Sequence, residues 1–241
     1  MTKTLALHPI SVVPAHAVVI ISGGMDSTVL AYALHRAGAR LTLLSCDYGQ
    51  RHRRELDFAA RTADALQVPH VVVDLTGLTG VLTGSALTDA RVDVPDGHYT
   101  DASMRATVVP NRNAIMLDVA VARAVSVGAD AVAFGAHAGD HPIYPDCRPA
   151  FLTAYEQTVR LGNEGFIDPG FRVLAPFIDL TKADIAQLGD LAAVPFTDTW
   201  SCYKGGEVHC GTCGTCVERR EAFTLAGLTD PTEYAAAPGV A

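Results

Sequence analysis

A chain of 241 residues with 49% hydrophobic and 18% charged content is long enough to bury a full core, and its composition is neither disordered nor fibrous. The formal charge of −8 argues against a protein that coats a phosphate backbone, because such proteins present basic surfaces. The apolar stretch from Ile10 to Ile21 is broken by Pro14 and His16 and falls short of a membrane span, and a Gly-rich loop follows where a signal peptide would be cleaved. One cytoplasmic domain over 1–241 is expected, with its core at about 17–195.

In chain order, residues 17–22 form a β-branched apolar run without alternation, the pattern of a strand buried on both faces. Gly23 and Gly24 end it. Val29, Leu30, Ala33, Leu34 and Ala37 then recur at helical spacing, with Gly38 as a stop. The unit repeats with a strand at 41–46, a helix from about Arg51 to Leu66 and a strand at 71–75. This alternation predicts an α/β fold with a doubly wound parallel sheet. Between Thr76 and Val109 the pattern dissolves into a long loop or insertion. A nearly all-apolar helix over 114–125 is expected deep in the core, followed by a strand at 131–134. Further on come a helix at 151–161 with Glu156 and Arg160 at i,i+4, a strand at 173–177, and a helix opened by Thr181 with Ile185, Leu188 and Leu191 facing inward. The Pro- and Ala-rich tail is expected to fray.

A glycine pair between a buried strand and a helix lets backbone amides approach an anion, and the helix N-terminus adds partial positive charge. Ser22, Gly23, Gly24, Met25, Asp26, Ser27 and Thr28 therefore read as a phosphate site. A simple β-α turn, with Asp26 and Ser27 capping the helix, is the plainer alternative. Asp26 makes sense among phosphates if a divalent cation bridges them, so magnesium is expected with a nucleotide. Lys182 can neutralise a leaving group, or simply be a solvated helix lysine. Asp47, ending the second strand, lies where a ribose or base often binds.

Six cysteines are present, and Cys202, Cys210, Cys213 and Cys216 crowd into one short stretch. Four thiolates close a tetrahedral shell, which predicts a structural zinc site within a segment at 196–225. An iron–sulfur cluster or a redox pair are the alternatives. His209 reads as a surface neighbour of this site, and Cys46 as a buried apolar residue. The stretch 137–151 is dense in polar and ring side chains after a strand end, where ligands bind in open α/β sheets. Asp140 and Asp146 can accept from a purine-like edge, Tyr144 can stack on it, and Arg148 can pair with a carboxylate. Turn and capping roles are the alternative for the Asp and Pro residues.

Ser22-Gly-Gly-Met-Asp-Ser27 resembles the PP-loop of the ATP pyrophosphatase superfamily. Together with Val109-Pro-Asn-Arg-Asn113, Tyr144-Pro-Asp-Cys-Arg148, Ser201-Cys-Tyr203 and Arg219-Arg-Glu-Ala-Phe223, it resembles the 7-cyano-7-deazaguanine synthases of the queuosine pathway over about 17–225. Asn111, where the family often has Gly or Ala, and Ala150 are departures. The resemblance implies a Rossmann-like PP-loop fold, ATP, magnesium, structural zinc, a homodimer, and conversion of 7-carboxy-7-deazaguanine and ammonia to the nitrile through adenylated acid and amide. Substrate contacts are then expected at Arg112, Asp140, Tyr144, Asp146 and Arg148. Lys182, His137, Asp140 and His141 are the catalytic candidates, with no general base assigned. Rival readings are a PP-loop enzyme acting on tRNA or a different carboxylate, and a non-catalytic ATP-binding module.

Overall fold

The computed structural model describes residues 10–98 and 105–236. Five strands form one parallel sheet: β1 (His16–Ile20), β2 (Arg40–Asp47), β3 (His70–Asp74), β4 (Ala131–Ala133) and β5 (Arg172–Leu174), in the order β3-β2-β1-β4-β5. The chain leaves β1 toward β2 and later returns to the other side of β1 as β4. That reversal opens a crevice beyond the carboxyl ends of β1 and β4, the place where such sheets bind ligands.

Both faces of β1 are covered, which explains its lack of alternation. Ala17 and Val19 pack with Leu30, Leu34, Ala59, Ile185 and Phe223, from the helices α1 (Met25–Arg36), α2 (Glu55–Leu66), α5 (Lys182–Leu191) and α6 (Gly214–Ala226). Val18 packs the other way, with Leu117, Ala120 and Val159 from α3 (Arg112–Val127) and α4 (Pro149–Gly162). The expected elements and the doubly wound sheet are therefore present.

Several details differ from the sequence reading. Helix α3 is not deep in the core: only Leu117, Ala120, Val121 and Ala124 are buried, while Asp118 and Ala122 are exposed. Its small apolar residues cover one face of the sheet and turn the other to the outside. Leu191 at the end of α5 is 45% exposed and does not face inward as Ile185 and Leu188 do. Helix α2 begins at Glu55 because residues 51–54 form a turn.

The stretch 76–109 is irregular but packed. Ser85 and Ala86 are fully buried, the Arg51 amide donates to the Leu87 carbonyl (2.8 Å), and Asp96 bridges to Cys213. Residues 99–104 of it lie outside the described residues. The tail is tied down as far as Ala236, whose carbonyl accepts from Arg220 (2.7 Å), while Ala235 donates to His209. Residues 237–241 lie outside the described residues. Asn111 has φ 55, in the left-handed region where Asn is tolerated better than most residues, so this departure from the family pattern fits its backbone.

Candidate active site and cysteine cluster

The loop between β1 and α1 turns at Gly23, whose φ is 76 and whose missing Cβ lets the α2 backbone approach. A Cβ there would sit 2.2 Å from the Glu55 carbonyl oxygen. Gly135, after β4, also lets its loop come close to α1, though less tightly, since its Cβ would lie 3.3 Å from the Ser27 amide. Gly24 begins α1 in extended backbone and no side chain caps the helix. The Asp26/Ser27 capping alternative thus fails: Ser27 Oγ accepts from the Ser22 amide and donates to the Gly24 carbonyl. Met25, Asp26 and Ser27 consequently present the first orphan amides of α1 to the crevice, a ready anion site. Thr28 is not part of it: the residue is 1% exposed and its amide donates within the helix to Gly24.

Facing this loop is a charged centre built from four separate stretches. Lys182 Nζ bonds Glu218 and lies 3.7 Å from Asp26 Oδ2. Burial opposes the Lys182 ammonium, but Glu218, Asp26 and Asp140 together outweigh it and raise its pKa. His137 is 4% exposed and accepts from the Gly139 amide at Nδ1, so the neutral ring carries its proton on Nε2. That nitrogen lies 3.9 Å from Asp26 Oδ2 and 3.7 Å from Asp140 Oδ2. Asp26 Oδ1 is buried without a hydrogen-bond partner among the described residues. An unpaired carboxylate oxygen beside an anion site suits a hard divalent cation.

The other end of the crevice is aromatic. Arg112 sits among Tyr48, Tyr144 and Tyr203; burial opposes its charge, and the three phenols favour it. Burial pushes Tyr48 up to about 12 and raises Tyr203 and Tyr144 as well, so all three remain neutral donors. Tyr144 also bonds Thr107 (3.1 Å). His52 and Glu55 line the same end, with Nε2 3.1 Å from Glu55 Oε2.

Of the residues expected at the site, Ser22, Gly24, Met25, Asp26, Ser27, Arg112, His137, Asp140, Tyr144 and Lys182 line this one crevice. Arg148 does not: it is exposed and holds the His141 carbonyl (2.7 Å) and the Pro142 carbonyl. His141 also lies outside the lining, while Asp146 borders a smaller neighbouring pocket and accepts from Asn113 (3.2 Å). Asp47 is turned to its own loop, accepting from the Gly49 amide (3.1 Å) and from Arg53. Glu218, Tyr48, His52, Glu55 and Trp200 are lining residues that the sequence reading missed. Tyr48 and His52 follow the carboxyl end of β2, a position rule that could have flagged them.

The four cysteine sulfurs lie within 4.8 Å of one another and can hold a metal ion. Three of the residues are fully buried. Backbone amides already point at the sulfurs: Cys213 N to Cys210 Sγ (3.2 Å), Thr212 N to Cys210 Sγ (3.4 Å) and Cys210 N to Cys202 Sγ (3.4 Å). Amide donors of this kind stabilise thiolates, and a closed set of four sulfurs fits a structural ion. His209 is not a surface neighbour. It is 5% exposed, accepts from the Ser201 amide and packs against Trp200 with the rings tilted by 40° (centroids 4.3 Å). The cluster also organises the crevice, because Trp200, Ser201 and Tyr203 flank Cys202 while Thr215 and Glu218 flank Cys216.

Residues 16–227 match the sequence model of the queuosine biosynthesis protein QueC. A 7-cyano-7-deazaguanine synthase of Rhizobium etli (strain CIAT 652) is 55% identical over 217 residues, covering 90% of this chain and 91% of the relative. The enzyme of that name from Paracoccus denitrificans (strain Pd 1222) is 56% identical over 90% of this chain and 92% of its own length. The 7-cyano-7-deazaguanine synthase 1 of Mesorhizobium japonicum is 57% identical, covering 91% and 93%. With its Gly23-Gly24 loop, its charged centre and its four-cysteine cluster inside the matched residues, the chain belongs to the QueC family.

Proposed function

We propose that this protein is an ATP-dependent ligase that converts 7-carboxy-7-deazaguanine and ammonia to 7-cyano-7-deazaguanine. Relatives bearing that name match across nine-tenths of the chain, and the crevice has two ends suited to the two larger substrates. The observation that carries the reading is the uncapped N-terminus of α1, with Asp26 in its first turn, opposite Lys182 and beside an Arg112 compartment walled by tyrosines.

In this reading the Met25, Asp26 and Ser27 amides bind ATP phosphates, and Lys182 offsets the charge that develops as pyrophosphate leaves. Arg112 holds the substrate carboxylate, and Tyr48, Tyr144 and Tyr203 flank its planar ring. The carboxylate attacks the α-phosphate, the acyl-adenylate reacts with ammonia to give the amide, and a second ATP activates the amide oxygen before AMP departs to leave the nitrile. Holding both reactants in one crevice contributes through proximity. Asp26 and Asp140 would hold magnesium, which would supply further charge neutralisation at the phosphates. Zinc on Cys202, Cys210, Cys213 and Cys216 would be structural. We take the protein to act as a cytoplasmic homodimer, which light scattering during gel filtration tests.

Incubation with ATP, magnesium, an ammonium salt and 7-carboxy-7-deazaguanine, followed by mass spectrometry, decides the matter. Nitrile formation with AMP and pyrophosphate release is the expected result. ATP turnover without amide or nitrile would refute the substrate assignment and favour a different carboxylate or tRNA.

A further inference from the structure

The proposed reaction needs a base. Near neutral pH ammonia is present as ammonium, which has no lone pair until a proton is taken from it. The groups around the phosphate loop do not supply that base. Lys182 is kept protonated by its carboxylate neighbours, and Asp26 and Asp140 face the phosphate end. The His137 lone pair is taken up at Nδ1 by the Gly139 amide, and its Nε2, which carries the proton of the neutral ring, lies 3.9 and 3.7 Å from two carboxylates.

His52 is a second buried histidine in the crevice, 3% exposed, at the Arg112 end. Its Nε2 lies 3.1 Å from Glu55 Oε2. The other Glu55 oxygen accepts from Gln50 Nε2 (3.0 Å), and Gln50 is itself anchored by accepting from the Tyr48 amide (2.9 Å) and donating to the Cys46 carbonyl (3.2 Å). A chain of side chains thus ties the pair to the end of β2. With Glu55 holding the Nε2 proton, the lone pair is on Nδ1, and Nδ1 is buried without a partner among the described residues. The Tyr203 ring packs on the imidazole at 4.9 Å, and Tyr48, Tyr144, Cys147, Glu55 and Arg112 are the other titratable groups lining this end among the described residues. A histidine backed by a carboxylate on one nitrogen and free on the other is the arrangement of a general base.

We infer that His52, supported by Glu55, is the general base that deprotonates ammonium for attack on the acyl-adenylate; this rests on the function proposed above. A proton passes from ammonium to Nδ1, and the freed nitrogen lone pair forms the C–N bond at the acyl carbon. The C–O bond to AMP then breaks, AMP keeping the electron pair. A second proton leaves the new C–N nitrogen after the first has passed to solvent, so acyl-adenylate and ammonium give amide, AMP and two protons.

The test compares wild type with His52→Gln and Glu55→Gln in three assays: carboxylate-dependent exchange of pyrophosphate into ATP, amide formation from ammonium, and hydroxamate formation from hydroxylamine. Hydroxylamine is largely unprotonated near neutral pH and needs no base to expose its lone pair. For H52Q the exchange and the hydroxamate remain close to wild type, while the amide rate falls about a hundredfold or more. E55Q moves the same way by less, because the ring stays and only its support weakens. A parallel loss of exchange, hydroxamate and amide would overturn the inference and assign the pair to holding the fold or the substrate. An unchanged amide rate in H52Q would overturn it as well. Should the wild type itself show no carboxylate-dependent exchange, the proposed function falls, and this inference with it.

Discussion

Lys182→Met isolates what the charged centre contributes to the departure of pyrophosphate. Its Nζ is 3.7 Å from Asp26 Oδ2 and bonded to Glu218, so a phosphate entering the α1 N-terminus meets an ammonium that is already placed and already charged. Two unit charges about 4 Å apart at an effective dielectric of about 20 interact by about 4 kcal/mol. Part of that attraction exists in the ground state, because ATP is anionic before it reacts. The remainder compares with the loss of one preorganised donor to developing charge, about 10²–10³ in kcat. Steady-state pyrophosphate release at saturating ATP should fall by that factor in K182M, with a smaller change in KM, and K182R should recover part of the loss. Without ligand, Asp26, Asp140 and Glu218 lose their shared cation, so the Tm of K182M falls and magnesium restores more of it than in the wild type. A K182M enzyme within about tenfold of wild-type kcat, a barrier change of about 1.4 kcal/mol, would refute the assignment of Lys182 as a clamp.

Gly23→Ala places a Cβ 2.2 Å from the Glu55 carbonyl oxygen at φ 76, so the loss of stability should exceed the roughly 1–2 kcal/mol that left-handed backbone alone costs an L-residue, as read by chemical denaturation. Cys213→Ser should abolish metal content measured by plasma mass spectrometry and lower the Tm steeply, since a structural zinc ion contributes on the order of 10 kcal/mol to folding; a well-folded, metal-free variant would contradict it. Arg219 is 1% exposed and bonds Thr199, Phe196 and Asp230, so Asp230→Asn should cost about 3 kcal/mol by leaving its charge without a counter-ion. Burial opposes the Asp230 carboxylate, but Arg219, Tyr234 and Thr232 favour it and hold its pKa below the ordinary 3.8. The stability it confers is therefore full above that value and lost as pH falls through the lowered one; urea unfolding across acidic pH should show a slope that D230N flattens.

The Gly23-Gly24 turn between β1 and α1, the four-cysteine set and the alternation of strands with helices were legible in the sequence because each depends on neighbours along the chain. A β-branched run ended by two glycines makes a strand and a tight turn wherever it is placed, and cysteines three positions apart can reach one ion with little help from the rest of the fold. The family resemblance also drew on short strings of this kind. Tertiary structure decided what meets across the crevice. Lys182 and Glu218 are joined because the cysteine cluster sets the start of α6, and the sequence holds them far apart. Arg148 and Arg112 are both cations near polar segments, yet one is turned outward to carbonyls of its own loop while the other is enclosed by three tyrosines. His52 and Glu55 sit three positions apart, but only burial beside Tyr203 separates a general-base pair from a surface ion pair. Local covalent spacing is enough to write a turn or a ligand set; the direction of a side chain and the charges around it follow from the strand order β3-β2-β1-β4-β5 and from how each helix is rotated against that sheet.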